Sequence, residues 1–190
     1  MLGYAAPTQR NLRMSTQPNI FLIGPMGSGK SAVGRRLARD LGLEFHDSDE
    51  EIKTRTGVDI PFIFEKEGEE GFRKRESAVI NELTGLRGIV LATGGGAAQD
   101  SANRALLASR GTVVYLYTSV PEQVRRTRKS RDRPLLNEGK PAEVLEQLMQ
   151  VRDPQYREIA DITVDTDGRQ VHSVARELKK LLSAGPASDE

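Results

Sequence analysis

Apolar residues fall along this chain in two rhythms. Short runs have the length and composition of strands: Ile20-Phe21-Leu22-Ile23, Leu43 to His46, Ile89-Val90-Leu91-Ala92, Val113 to Tyr117, and Ile162-Thr163-Val164. Between them the apolar positions take a helical period. Val33, Leu37, Ala38 and Leu41 are interleaved with Arg35, Arg36, Arg39 and Asp40, and Val171, Val174, Leu178 and Leu181 close the pattern. Phe72, Glu76, Val79, Ile80 and Leu83 share one face, which puts a carboxylate on or beside a buried stripe, and Gly85 stops that helix. Pro61 and Pro121 each suit a first helical turn. Arg104 to Ala108 also fits a helix, and Pro141 to Met149 another that Arg152-Asp153-Pro154-Gln155-Tyr156 ends. Five strands alternating with helices predict an α/β fold, a parallel sheet with helices on both faces.

Bulk composition narrows the function classes. The 190 residues suit one domain, expected over residues 19–183, with a flexible extension at 1–18 and a polar tail at 184–190. Lys plus Arg total 28 against 27 for Asp plus Glu, so net charge gives no reason to expect nucleic acid. No cysteine offers a disulfide or thiolate site. No apolar run approaches a membrane span, and the first residues lack a secretory h-region, so a cytoplasmic protein is expected.

The chemistry starts at Gly24-Pro25-Met26-Gly27-Ser28-Gly29-Lys30-Ser31, a G-x-x-x-x-G-K-S loop between a strand and a helix. Backbone N–H groups of such a loop and the helix N-terminus face one anion. Lys30 would reach the outer phosphates of a nucleotide, and the Ser31 hydroxyl would sit on Mg²⁺. Asp47-Ser48-Asp49 opens a helix, with Ser48 and Glu51 in capping-box spacing. Two carboxylates at a strand's carboxyl end also stand where an α/β sheet binds its ligand. The third strand ends in Thr93-Gly94-Gly95-Gly96, where many phosphate-loop proteins carry a metal-side Asp. Asp47 is then the nearest candidate for that acid, and the glycines suit a substrate lying on backbone amides. Arg125 to Arg133 is strongly basic without interleaved aromatics, which favours a mobile lid over phosphates, about residues 126–140, above a nucleic-acid surface.

These stretches together resemble shikimate kinase, a family of small P-loop kinases. The likeness runs from about Asn19 to Leu182 and rests on GPMGSGKS, the DSD after the second strand, GFRKRE, the GGG after LAT, and RPLL followed by R-D-P-Q-Y. The resemblance implies a P-loop kinase three-layer sandwich with strand order 2-3-1-4-5, and a monomer is expected. It implies ATP-dependent, Mg²⁺-dependent phosphorylation of the shikimate 3-hydroxyl. Gly27, Ser28, Gly29, Lys30, Ser31 and Ala32 would hold the nucleotide, with Arg126 against adenine, Arg133 closing from the lid and Arg169 nearby. Asp47 would reach Mg²⁺ through water, and Asp49 would bind substrate hydroxyls. Arg73 and Arg152 would grip the shikimate carboxylate, Glu76 would orient Arg73, and Gly94, Gly95 and Gly96 would line the pocket. Lys30, Asp49 and Arg133 are the implied catalytic set.

Three other readings stay open on the residues alone. A gluconate or nucleoside monophosphate kinase would share the phosphate loop. A P-loop switch or motor would also share it, although no N-K-x-D stretch is present. The third is a nucleic-acid binder using Arg125 to Arg133.

Overall fold

The computed structural model describes residues 18–128 and 140–184. The sheet has five parallel strands, β1 (Asn19–Ile23), β2 (Glu44–Asp47), β3 (Ile89–Ala92), β4 (Gly111–Tyr117) and β5 (Ile162–Asp165), in the order β2-β3-β1-β4-β5. β1 is the central strand, with Phe21 level with Leu91 on one side and Val113 on the other.

Alternation along the buried strands divides two cores. Phe21, Ile23, Leu91, Val113 and Tyr115 face one side of the sheet, and Ile20, Leu22, Val90, Val114 and Leu116 face the other. A strand buried on both faces must be apolar at every position, which is why β1 and β4 read as unbroken runs. The second face is covered by α1 (Lys30–Leu41) and α7 (Val171–Ser183) through Val33, Leu37, Val174 and Leu178. The first is covered by α2 (Ser48–Thr56), α3 (Ile60–Thr84), α4 (Ser101–Arg110) and α6 (Pro141–Ile159), through Ile52, Phe72, Ile80, Leu107 and Tyr156. The remaining helix, α5 (Val120–Thr127), lies between β4 and the undescribed residues 129–139.

Two local expectations need correction. The cap of α2 is Asp47, whose Oδ1 accepts from the Asp49 and Glu50 amides at 3.0 and 3.3 Å. The Ser48–Glu51 capping box does not form: Ser48 is already helical and buried, and its hydroxyl serves another strand end. Second, α6 does not end before Arg152 but continues through Pro154 to Ile159. Pro154 removes one N–H from the ladder, and tertiary anchoring on both sides of it holds the helix together. The long α3 bends at Gly68, whose φ of 70° and ψ of −177° are not helical. That extended, positive-φ region is essentially glycine-only, so the bend is fixed by the residue type.

Candidate active site

Because all five strands run the same way, their carboxyl ends bring three loops together. These are the phosphate loop after β1, the Asp47–Asp49 corner after β2, and the glycine run after β3. They enclose a cleft of about 300 Å³ whose lining includes Lys30, Ser31, Asp47, Asp49, Thr93 and Gly95.

On the phosphate-loop side, Lys30 is buried, and its Nζ donates to the Gly24 and Pro25 carbonyls at 2.7 and 2.8 Å and to Ser28 Oγ at 3.3 Å. Ser31 Oγ donates to Asp47 Oδ2 at 2.5 Å, so the loop hydroxyl and the strand-end carboxylate meet directly. Arg126 donates to the Gly27 carbonyl at 3.1 Å and to the Thr166 carbonyl at 2.6 Å, which ties α5 to the phosphate loop and to the β5–α7 corner. Arg169 sits in that corner, donating to the Asp165 carbonyl at 3.0 Å and pairing with Glu177. Gly29 and Ala32 line the cleft beside Lys30 and Ser31. Arg133 and most of the expected lid lie outside the described residues.

On the opposite side two carboxylates and two guanidiniums converge over the glycines. Asp49 Oδ1 and Glu76 Oε1 are buried and have no hydrogen-bond partner among the described residues. Both oxygens crowd Gly94: a Cβ there would stand 2.5 Å from Glu76 Oε1 and 2.8 Å from Asp49 Oδ1. Burial, then the charges of Glu76 and Asp47, pushes the Asp49 carboxyl up to about 6. Glu76 is 1% exposed, and burial raises its carboxyl above the ordinary range against the pull of Arg73 and Arg152. Its Oε2 accepts from Arg73 Nη1 at 2.6 Å, while Arg73 Nη2 reaches Glu69 at 3.0 Å. A Cβ on Gly96 would fall on the Arg73 guanidinium, so that glycine makes room for the arginine.

Arg152, from α6, donates through Nη1 to the Gly95 carbonyl at 3.3 Å. With the Gln99 amide turned so that its oxygen faces the guanidinium, Arg152 Nη2 and Nε also donate to it at 2.8 and 3.1 Å. Burial, with the like charge of Arg73 adding to it, pulls Arg152 below the usual guanidinium range. Two partly desolvated cations in one cleft call for an anion between them.

The strand ends thus bring the loop residues Lys30, Ser31, Asp47 and Asp49 near Arg73, Glu76 and Arg152 over the glycine run, while Arg126 and Arg169 sit at the β5–α7 corner. Sequence reasoning missed Ser48, Gln99 and Tyr156. Ser48 Oγ accepts from the Gly94 amide at 2.9 Å, and the Tyr156 hydroxyl donates to the Gly95 carbonyl. Tyr156 lies in the R-D-P-Q-Y stretch, four residues after Arg152. That spacing would have placed both on one helix face had the helix been carried through Pro154.

The shikimate kinase family model matches residues 26–183. The chain belongs to the shikimate kinase family. The shikimate kinase of Halorhodospira halophila is 57% identical over 172 residues, covering 90% of this chain and 97% of that one. That of Vibrio cholerae serotype O1 is 56% identical over 169 residues, covering 89% and 97%. The solved shikimate kinase from Acinetobacter baumannii in complex with shikimate superposes with a TM-score of 0.88 at 50% identity, covering 90% of this chain and 96% of that one. A gluconokinase from Sinorhizobium meliloti, at 21% identity and a TM-score of 0.58, shares the fold and carries no argument about its substrate. As a shikimate kinase the chain is a nucleotide-dependent phosphotransferase. Among the described residues no helix is long and apolar enough to cross a membrane.

Proposed function

We propose that this cleft transfers the γ-phosphoryl of Mg·ATP to the 3-hydroxyl of shikimate, giving shikimate 3-phosphate and ADP. The observation that carries the reading is the placement of Arg73 and Arg152 across the glycine floor from Lys30, with Asp49 between the two sides. A cyclic hydroxy acid laid on that floor presents its carboxylate to two guanidinium forks, each suited to bidentate contact. Its hydroxyls then fall toward Asp49.

In the transfer, the hydroxyl oxygen forms the new bond to the γ-phosphorus while the bond to the β–γ bridging oxygen breaks, and ADP leaves. The hydroxyl proton passes to Asp49, whose raised basicity suits it to accept that proton better than an exposed aspartate would. Phosphoryl transfer asks chiefly for alignment and charge neutralisation. Lys30 supplies a buried ammonium, resting on loop carbonyls until a phosphate offers it a charged acceptor. Arg133 would close from the lid, Arg126 would pack at the adenine end, and Arg169 would lie near it.

Mg²⁺ fits the donors present. The Ser31 hydroxyl and the Asp47 carboxylate are a pair of hard oxygens of the kind this ion takes beside phosphates and water, with Asp47 acting through water. When bound it neutralises charge on the β- and γ-phosphates. The enzyme acts as a monomer in the cytoplasm on ATP and shikimate, with no nucleic acid or membrane involved.

ADP release from Mg·ATP tests the reading, with shikimate, gluconate, a nucleoside monophosphate or no acceptor present. Release stimulated only by shikimate is expected. Stimulation by another acceptor would keep the kinase and overturn the acceptor-side assignments.

A further inference from the structure

The carbonyl of Gly95 takes two donors, the Tyr156 hydroxyl and Arg152 Nη1. They differ in freedom. Tyr156 is 1% exposed, and its ring packs on Tyr115 at 5.0 Å between centroids. Tyr115 in turn donates to Asp153 Oδ1 at 2.7 Å, and Asp153 Oδ2 accepts from Arg157 at 2.8 Å. The ring is therefore held from β4 and from both sides of Pro154, with its hydroxyl on the Gly95 carbonyl and beside the Arg152 guanidinium. Burial pushes that hydroxyl up to about 12, so it remains a donor through the neutral range.

Arg152, by contrast, has its donors parked on protein acceptors, the Gly95 carbonyl and the Gln99 amide. To grip a substrate carboxylate its guanidinium must turn from at least one of them. A carbonyl left without any donor in this buried floor would oppose that turn.

We propose that Tyr156 is a positioning residue for the acceptor carboxylate: its hydroxyl holds the Gly95 carbonyl in place and satisfied, which frees Arg152 to turn from the floor to the substrate. The inference rests on shikimate being the acceptor. Without the hydroxyl, Arg152 is the remaining donor to Gly95 among the described residues and is held back by it. Losing Tyr156 should then weaken acceptor binding through Arg152 and leave the nucleotide side alone.

The test is a cycle of Tyr156→Phe and Arg152→Ala, with Tyr115→Phe as a control that removes a hydroxyl from the same ring stack without touching Gly95. Shikimate KM, ATP KM and kcat are measured for each, with shikimate Kd by calorimetry where turnover is too slow. Tyr156→Phe should raise the shikimate KM roughly tenfold, about one net hydrogen bond, with ATP KM within twofold. In the Arg152→Ala background the same change should cost nothing further, and Tyr115→Phe, which loosens the ring but leaves the Tyr156 hydroxyl on Gly95, should raise the shikimate KM much less than Tyr156→Phe does. A full tenfold cost persisting in the Arg152→Ala background would overturn the inference. Equal effects of the two tyrosine changes, or a parallel rise in ATP KM, would overturn it as well. Wild-type enzyme idle with shikimate would instead sink the acceptor reading itself.

Discussion

At the scale of single residues, the acceptor side depends on an atom that is missing. A Cβ on Gly94 would press on Glu76 Oε1 and Asp49 Oδ1 at 2.5 and 2.8 Å, and both of these oxygens are buried. Gly94→Ala must therefore displace the two carboxylates that face the substrate. Steady-state kinetics should show the shikimate KM raised by about tenfold or more, as overpacking of about 1–3 kcal/mol would give, with ATP KM near wild type. An unchanged shikimate KM would show the floor to be looser than this geometry. Asp47 separates two roles in the same way. Its Oδ1 caps α2 and its Oδ2 accepts from Ser31. Asp47→Asn keeps a capping oxygen and removes the charge, whereas Asp47→Ala removes both. Asparagine should then leave the urea midpoint near wild type but raise the Mg²⁺ concentration needed for half-maximal rate. Alanine should add a stability loss of about 1 kcal/mol. If asparagine left the Mg²⁺ titration unmoved, Asp47 would be a cap and nothing more. The sequence made Asp47 a candidate through its position but hid the cap, because Ser48 and Glu51 matched a commoner local pattern.

Elements show where local signals lose to packing. Pro154 reads as a helix terminator, yet α6 passes through it because Arg152 and Tyr156 are buried on one side and Asp153 and Arg157 are tied to each other. No window of sequence contains Tyr115, the partner that makes the continuation worthwhile. Gly68 is the opposite case, a residue whose local conformation decides the shape of an element. It divides α3 into a short arm and a long arm carrying Arg73 and Glu76, and the bidentate Arg75–Glu67 pair spans the bend. A Cβ at Gly68 would meet nothing within 4 Å, so the cost of Gly68→Ala lies in the backbone alone. It should destabilise by about 1–3 kcal/mol in urea unfolding. Stability equal to wild type would mean that the bend relaxes freely into continuous helix.

For the whole molecule, the five strands, their parallel direction and the two-faced core were legible in periodicity, but the strand order was not. Periodicity says that β1 is buried on both faces without saying which strands flank it. The order came from resemblance, and it is the order that sets the glycine run after β3 between the Asp47–Asp49 corner and the phosphate loop. A site built from three loop ends and two helices, α3 and α6, should bind its two ligands with partly independent contributions to stability. Each ligand present at about 100 times its Kd should add roughly 2.7 kcal/mol. For a chain of 190 residues that corresponds to a rise in Tm of about 5–10 °C per ligand. Shikimate should produce that rise, gluconate should not, and Mg·ATP should add its own. Arg73→Ala divides the site cleanly in this measurement, since Arg73 contacts Glu76 and Glu69 on the acceptor side and lies in α3, away from the phosphate loop. The variant should lose most of the shikimate increment and retain that of Mg·ATP. Loss of both increments would mean that Arg73 holds the cleft together as a whole. Retention of both would remove the carboxylate grip from the mechanism, and with it the reason for an anionic acceptor.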